Sequence, residues 1–177
     1  MCVERRCGRR GQMEIRHSEH SPRCEPKHRR HQFRPPPKEE TINTRVLLVD
    51  DHRLMREVLE CAVESAPDLS VVGAARDAES AFTAVEETSP DIVLMDLALP
   101  GMDGIAATRT LVHQHPLVRV MVLSASCTRA LVFDALAAGA WGYFVKAGPL
   151  EELLHGIREV SEGRRCLAAT AQALLDR

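Results

Sequence analysis

The sequence predicts an α/β fold: a parallel β-sheet with helices packed on both faces. Three observations predict it. Short apolar runs at residues 46–49, 92–95 and 118–123 carry almost no polar interruption. Strands exposed on one side would alternate, so uninterrupted runs imply burial on both faces. Between the runs lie stretches of helical period, and each run closes on a polar residue followed by a turn signal.

Taken in order, residues 46–50 read as the first strand. Leu54, Val58, Cys61 and Ala62 recur at helical spacing, and Pro67 closes that helix. Residues 69–75 form the second strand, and Asp77 is placed to cap a helix through Glu87. Pro90 precedes the third strand at 91–96. Pro100-Gly101 marks a loop, and Asp103 caps a helix reaching about His115. The fourth strand covers 118–124, followed by an alanine-rich helix at 128–138. Tyr143-Phe144-Val145 is a short fifth strand. Leu150, Leu153, Leu154, Ile157 and Val160 make an apolar stripe of a fifth helix. Residues 164–177 are expected to be a linker with a helix start at 167–175.

Composition separates this unit from what precedes it. Residues 1–44 hold eleven Lys or Arg against six Asp or Glu, whereas residues 45–177 hold twelve against nineteen. The first segment, with Pro35-Pro36-Pro37, lacks the apolar content to offset ordering entropy and reads as a basic disordered tail. Cys2, Cys7, Cys24 and His28 number enough for a zinc site, but their spacing fits no compact finger. The division is therefore 1–44 tail, 45–163 folded domain and 164–177 linker. No apolar stretch approaches the roughly 18 residues of a membrane span, so a cytoplasmic chain without membrane contact is expected. Cys61 and Cys127 are expected to act as small apolar residues, and Trp141 is placed at the surface.

The chemistry gathers at strand ends. In open α/β sheets ligands sit beyond the carboxyl ends of the strands. The first strand delivers Asp50 and Asp51 there, the third Asp96, the fourth Ser124 and the fifth Lys146. Converging carboxylates repel one another unless a cation lies among them, and an all-oxygen set suits Mg²⁺. An Asp set between a metal and a lysine is placed to attack phosphorus and form an acyl phosphate. Asp96 is the best placed of the three. Any one of these residues alone would be a helix cap, a turn former or a solvated lysine. Their joint placement at successive strand ends carries the reading.

The segments LLVDDHRLMREVL, DIVLMDLALPGMDGI, VLSAS and GAWGYFVK, in this order and spacing, resemble the receiver domain of two-component response regulators. The resemblance covers about residues 45–163. The DDH opening, and GYFVKAG before an EEL helix, are most similar to the NarL/FixJ-type subfamily, whose members usually carry a C-terminal LuxR-type helix-turn-helix. The resemblance implies a (βα)5 flavodoxin-like three-layer sandwich with strand order 2-1-3-4-5. It makes Asp96 the phosphoacceptor and assigns Asp50, Asp51 and the Ala98 carbonyl, with Asp96, to Mg²⁺. Ser124 and Lys146 would contact the phosphoryl group, and Ser124 and Tyr143 would form the switch. A sensor histidine kinase is the implied phosphoryl donor, and a homodimer an implied assembly. DNA would be reached only through an output domain that residues 1–177 do not contain. The chain would modify itself, with slow loss of its own phosphate, and would not be an enzyme. Lys146-Ala147-Gly148-Pro149 departs from the loop most familiar in the subfamily.

Three other uses of this sequence are distinguishable. A phosphoester hydrolase with an Asp nucleophile on its first strand would need a second acid two residues later, and Asp50-Asp51-His52-Arg53 does not supply it. A phosphorylation-independent interaction module would keep the fold and take no phosphate. A truncated DNA-binding regulator would continue downstream of residues 163–175.

Overall fold

The computed structural model describes residues 43–176. The tail readings, disorder and zinc at Cys2, Cys7, Cys24 and His28 alike, lie outside the described residues. Six strands and six helices alternate: β1 Thr44–Val49, α1 Arg53–Glu64, β2 Leu69–Ala75, α2 Ala78–Thr88, β3 Ile92–Asp96, α3 Gly104–Gln114, β4 Arg119–Ser124, α4 Arg129–Ala137, β5 Gly142–Val145, α5 Leu150–Ser161, β6 Cys166–Leu167 and α6 Ala169–Leu175. The sheet is parallel throughout, in the order β2-β1-β3-β4-β5-β6. The expected 2-1-3-4-5 order is therefore present, extended by a sixth strand that the sequence reading did not place.

Successive residues of each strand enter different cores, which is why the strands read as unbroken apolar runs. Val46, Leu48, Ile92 and Leu94 pack with Leu59 and Val63 of α1 and with Leu153, Ile157 and Val160 of α5. Leu47, Val49, Val93 and Met95 pack with Ala81 and Val85 of α2 and with Ala107 and Leu111 of α3. A third group joins Val122 and Tyr143 to Val132 and Ala135 of α4 and to Ala171 of α6. The sheet is the middle layer of three, with α1 and α5 on one face and α2, α3 and α4 on the other. No helix among the described residues is long and apolar enough to cross a membrane.

The caps fall where side-chain chemistry puts them. The Asp77 carboxylate accepts from the Ser80 N–H at 2.8 Å in a reciprocal capping box. Asp103 accepts from the N–H groups of Ile105 and Ala106, and Thr128 caps α4 through the Leu131 N–H.

Local details go beyond the sequence expectations. The apolar residues whose spacing marks α1 face out: Leu54 is 73 % exposed, Val58 44 %, and Cys61 is exposed as well. The helix carries two apolar ridges, and the one holding Leu59 and Val63 meets the sheet. Periodicity reveals a ridge but not its phase, which the turn from β1 sets. Trp141 is half-buried against the α1/α5 core, with the Arg119 guanidinium 5.2 Å from its ring centre. The helix expected at 167–175 is present as α6, which packs on α4, and the residues before it add β6, which pairs with β5.

A bidentate pair joins the turn before β2 to α5. Arg158 Nε and Nη2 donate to the Asp68 carboxylate at 2.6 and 2.9 Å. These bonds hold the Asp68 carboxyl below the usual carboxylate range. The folded state thus binds a proton at Asp68 less readily than the unfolded chain, so the pair stabilises above the usual carboxylate pKa. Its contribution fades as pH falls through the lowered folded value. The partners are 42 and 43 % exposed, so solvent screening keeps the effect small. In urea titrations, Asp68→Asn is expected to lower stability at pH 7 by about 0.5–1 kcal/mol. The difference from wild type is expected to disappear near pH 2.

Candidate functional site

Sheet register builds the site. Val49 lies level with Met95, Asp96 with Leu123, and Ser124 with Val145. Asp50, Asp96, Ser124 and Lys146 therefore leave four adjacent strands within about one residue of the same level. Three buried apolar strands fix their spacing, so the carboxylates cannot drift apart.

Lys146 lies at the centre. Its Nζ is 2.6 Å from Asp50 Oδ2 and 2.8 Å from Asp96 Oδ2. Both aspartates are almost fully buried, and the lysine side chain is 12 % exposed. Burial opposes the ammonium charge, but its bonds to Asp50 and Asp96 outweigh that and hold its pKa above the usual lysine value. The remaining oxygens take backbone donors: the His52 N–H reaches Asp50 Oδ1 at 2.9 Å, and the Ala98 N–H reaches Asp96 Oδ1 at 3.1 Å. Asp51 is 37 % exposed at the rim, where its Oδ1 meets His52 Nδ1 at 2.7 Å.

Ligand atoms of Asp50, Asp51, His52 and Asp96 all lie within 4.8 Å of one another. Three carboxylates face one ammonium, so with His52 neutral the group carries a net charge of −2. A divalent cation matches both that charge and the oxygen donors, and these residues fit Mg²⁺. The backbone at Ala98 borders the same group through its N–H bond to Asp96.

Ser124 ends β4 and Tyr143 lies in β5, the strand that Lys146 follows; the two are joined through one residue, Ser126. Ser124 Oγ accepts from the Ser126 N–H at 3.2 Å, and the Tyr143 hydroxyl donates to the Ser126 carbonyl at 2.7 Å. The Tyr143 ring is fully buried, and burial pushes its phenol above the usual value.

The structure thus brings Asp50, Asp51, Asp96 and Lys146 together, with Ser124 and Tyr143 linked beside them. Three contributors escaped the sequence reading. His52 is an exposed residue whose Nδ1 lies beside the carboxylates, and its place directly after two acids is the available signal. Arg56 donates to the Asp50 carbonyl from the first turn of α1. Gly104 starts α3 against the end of β3, where a Cβ would meet the Asp96 carbonyl oxygen at 2.0 Å and Leu97 Cα at 2.7 Å.

A parallel sheet with this strand order is matched by known proteins. The family model described as the response regulator receiver domain matches residues 46–158. The chain belongs to that family. It is 35 % identical over 118 residues to the transcriptional regulatory protein DegU of Brevibacillus brevis, covering 67 % of this chain and 50 % of that protein. It is 37 % identical over 119 residues to LiaR of Bacillus subtilis, covering 67 % and 56 %. The chain thus spans about half the length of these curated relatives. Among solved structures, a LuxR-family response regulator from Aurantimonas superposes with a TM-score of 0.72 at 37 % identity, over 76 % of this chain and 96 % of that one. The receiver domain of NarL from Mycobacterium tuberculosis gives 0.66 at 32 % identity, over 69 % and 98 %.

Gly104→Ala is expected to force α3 away from the end of β3, because the obstructing atoms are backbone. The expected loss is about 2–3 kcal/mol, on the scale of overpacked cores, measured by chemical denaturation. A variant as stable as wild type would show that β3 and α3 can separate freely.

Proposed function

We propose that this receiver domain takes a phosphoryl group from a sensor histidine kinase onto Asp96, and that the resulting acyl phosphate changes which surfaces the protein pairs with. The observation that carries the reading is Lys146 Nζ lying between Asp50 and Asp96, with Asp51 at the rim. This is an anionic cradle with one fixed cation, suited to a phosphoryl group accompanied by a divalent cation.

In this reading an Asp96 carboxylate oxygen attacks phosphorus, a new O–P bond forms, and the bond to the donor's nitrogen breaks with its electron pair returning to the imidazole. Lys146 neutralises charge on the transferring group and holds Asp96 in place. Asp50, Asp51, Asp96 and the Ala98 carbonyl would hold Mg²⁺, which would offset charge on the phosphoryl oxygens when bound. Ser124 Oγ donates to a phosphoryl oxygen, and Tyr143 follows Ser124 through Ser126. The chain modifies only itself and loses the phosphate slowly, so it is a phosphoacceptor and not a turnover enzyme. We place it in the cytoplasm, where the donor kinase presents its phosphohistidine. Homodimers are a natural product of the switch. Its relatives DegU and LiaR are named as transcriptional regulatory proteins. We assign this chain their phosphoryl-receiving part, with DNA contacted only through an output domain.

Intact mass spectrometry after treatment with acetyl phosphate and Mg²⁺ tests the assignment. One phosphoryl adduct is expected in wild type and none in Asp96→Asn. An adduct that persists in the variant would remove Asp96 from its role, and no adduct in wild type would favour a phosphorylation-independent module. Chelating the divalent metal is expected to abolish labelling; labelling that survives chelation counts against the cation site.

A further inference from the structure

Of the four residues whose ligand atoms converge at the site, three offer oxygen and one offers nitrogen. Mg²⁺ calls only for oxygen, so the proposed function leaves the His52 imidazole without a task. The ring is not placed like that of an idle surface histidine. His52 is the N-cap of α1, with extended backbone at φ −80° and ψ 106°, yet its side chain makes no capping bond. Asp77, Asp103 and Thr128, at the same position of their helices, commit their side-chain oxygens to helix N–H groups. The His52 ring turns to the acids: its Nδ1 is 2.7 Å from Asp51 Oδ1 and 3.5 Å from Asp50 Oδ1.

The backbone keeps it there. The His52 N–H donates to Asp50 Oδ1 at 2.9 Å, and the His52 carbonyl accepts from the Arg56 N–H at 3.2 Å. Both ends of the residue are fixed to the turn that carries Asp50 and Asp51, and only the side-chain torsions stay free. The side chain is 71 % exposed, so an ion reaches it from solvent without displacing core groups. The residue also lines a cleft whose other walls include Leu54, Met55, Val58 and Lys146. Apolar walls beside a metal limit the water that competes for it.

We infer that His52 Nδ1 is a direct ligand of the divalent ion at this site, and that it tilts the site from Mg²⁺ toward first-row transition ions such as Mn²⁺, Fe²⁺ and Ni²⁺. The inference rests on the metal part of the proposed function and adds the identity of the ion. Adjacent ligands around an octahedral ion with bonds of about 2.1 Å stand about 3 Å apart. The two separations at Nδ1, 2.7 and 3.5 Å, bracket that spacing. Imidazole adds little for hard Mg²⁺, which binds oxygen and keeps its waters, whereas transition ions accept it beside carboxylates. The buried carboxylates of Asp50 and Asp96 supply negative charge for either kind of ion. Only the nitrogen distinguishes between them.

The full chain with Mn²⁺ as probe tests this, at about pH 8 so that imidazoles are neutral. Electron spin-echo spectra of the Mn²⁺-loaded wild type are expected to carry the coupling of a directly bound nitrogen. The coupling is expected to vanish in His52→Ser, whose hydroxyl keeps α1 capped. In competition titrations, the ratio of Mn²⁺ to Mg²⁺ affinity is expected to fall about ten-fold in the same variant, the scale of a lost partner at a metal site. Equal losses for the two ions make His52 only a hydrogen-bond partner of Asp51 and overturn the inference. An unchanged ratio overturns it, as does a wild-type spectrum without nitrogen coupling or a coupling that survives in the variant. Each of these results leaves the Mg²⁺ reading standing. A wild type that binds neither ion overturns the inference and the cation site together.

Discussion

One ammonium between two buried carboxylates organises the functional end of this molecule. Lys146 touches Asp50 and Asp96, which belong to the first and third strands, while the lysine follows the fifth. Such a contact would be costly if any partner were missing, since a buried carboxylate without a counter-charge is strongly disfavoured. It can persist because the sheet register fixes all three backbones first. The apolar strands set the positions, and the charges then have nowhere else to go.

That order of cause explains why the site is both anionic and rigid. Three carboxylates and one ammonium leave an excess of negative charge in a place the core does not allow to expand. A hard divalent cation suits the excess, and a phosphoryl group suits the ammonium. The neighbouring Ser124–Ser126–Tyr143 connection is weaker in kind. It consists of single neutral hydrogen bonds through a loop, and such bonds exchange partners at small net cost. A rigid charged pocket thus lies beside a weakly held loop.

Much of the architecture was legible along the chain. Asp77 and Asp103 cap helices as their side chains predict, and the unbroken apolar runs are strands buried on both faces. The acids and lysine were legible for a related reason: each ends an apolar run, and parallel strands bring such ends to one edge. The phase of α1 was not legible. Leu54 and Val58 look like core residues by spacing, yet the adjacent ridge of Leu59 and Val63 meets the sheet. Nor was β6, since a two-residue strand has no period to detect.

The sequence by itself determined the class of the fold, the order of its elements and which polar residues stand at strand ends, because these follow from local periodicity and turn chemistry. Only the tertiary structure decided that Lys146 lies between Asp50 and Asp96, that Gly104 must have no side chain, and that residues 166–175 lie against Tyr143. Each of those facts is a contact between segments distant in sequence or a choice of helix phase. Such contacts arise from packing, and no local pattern in the chain encodes them.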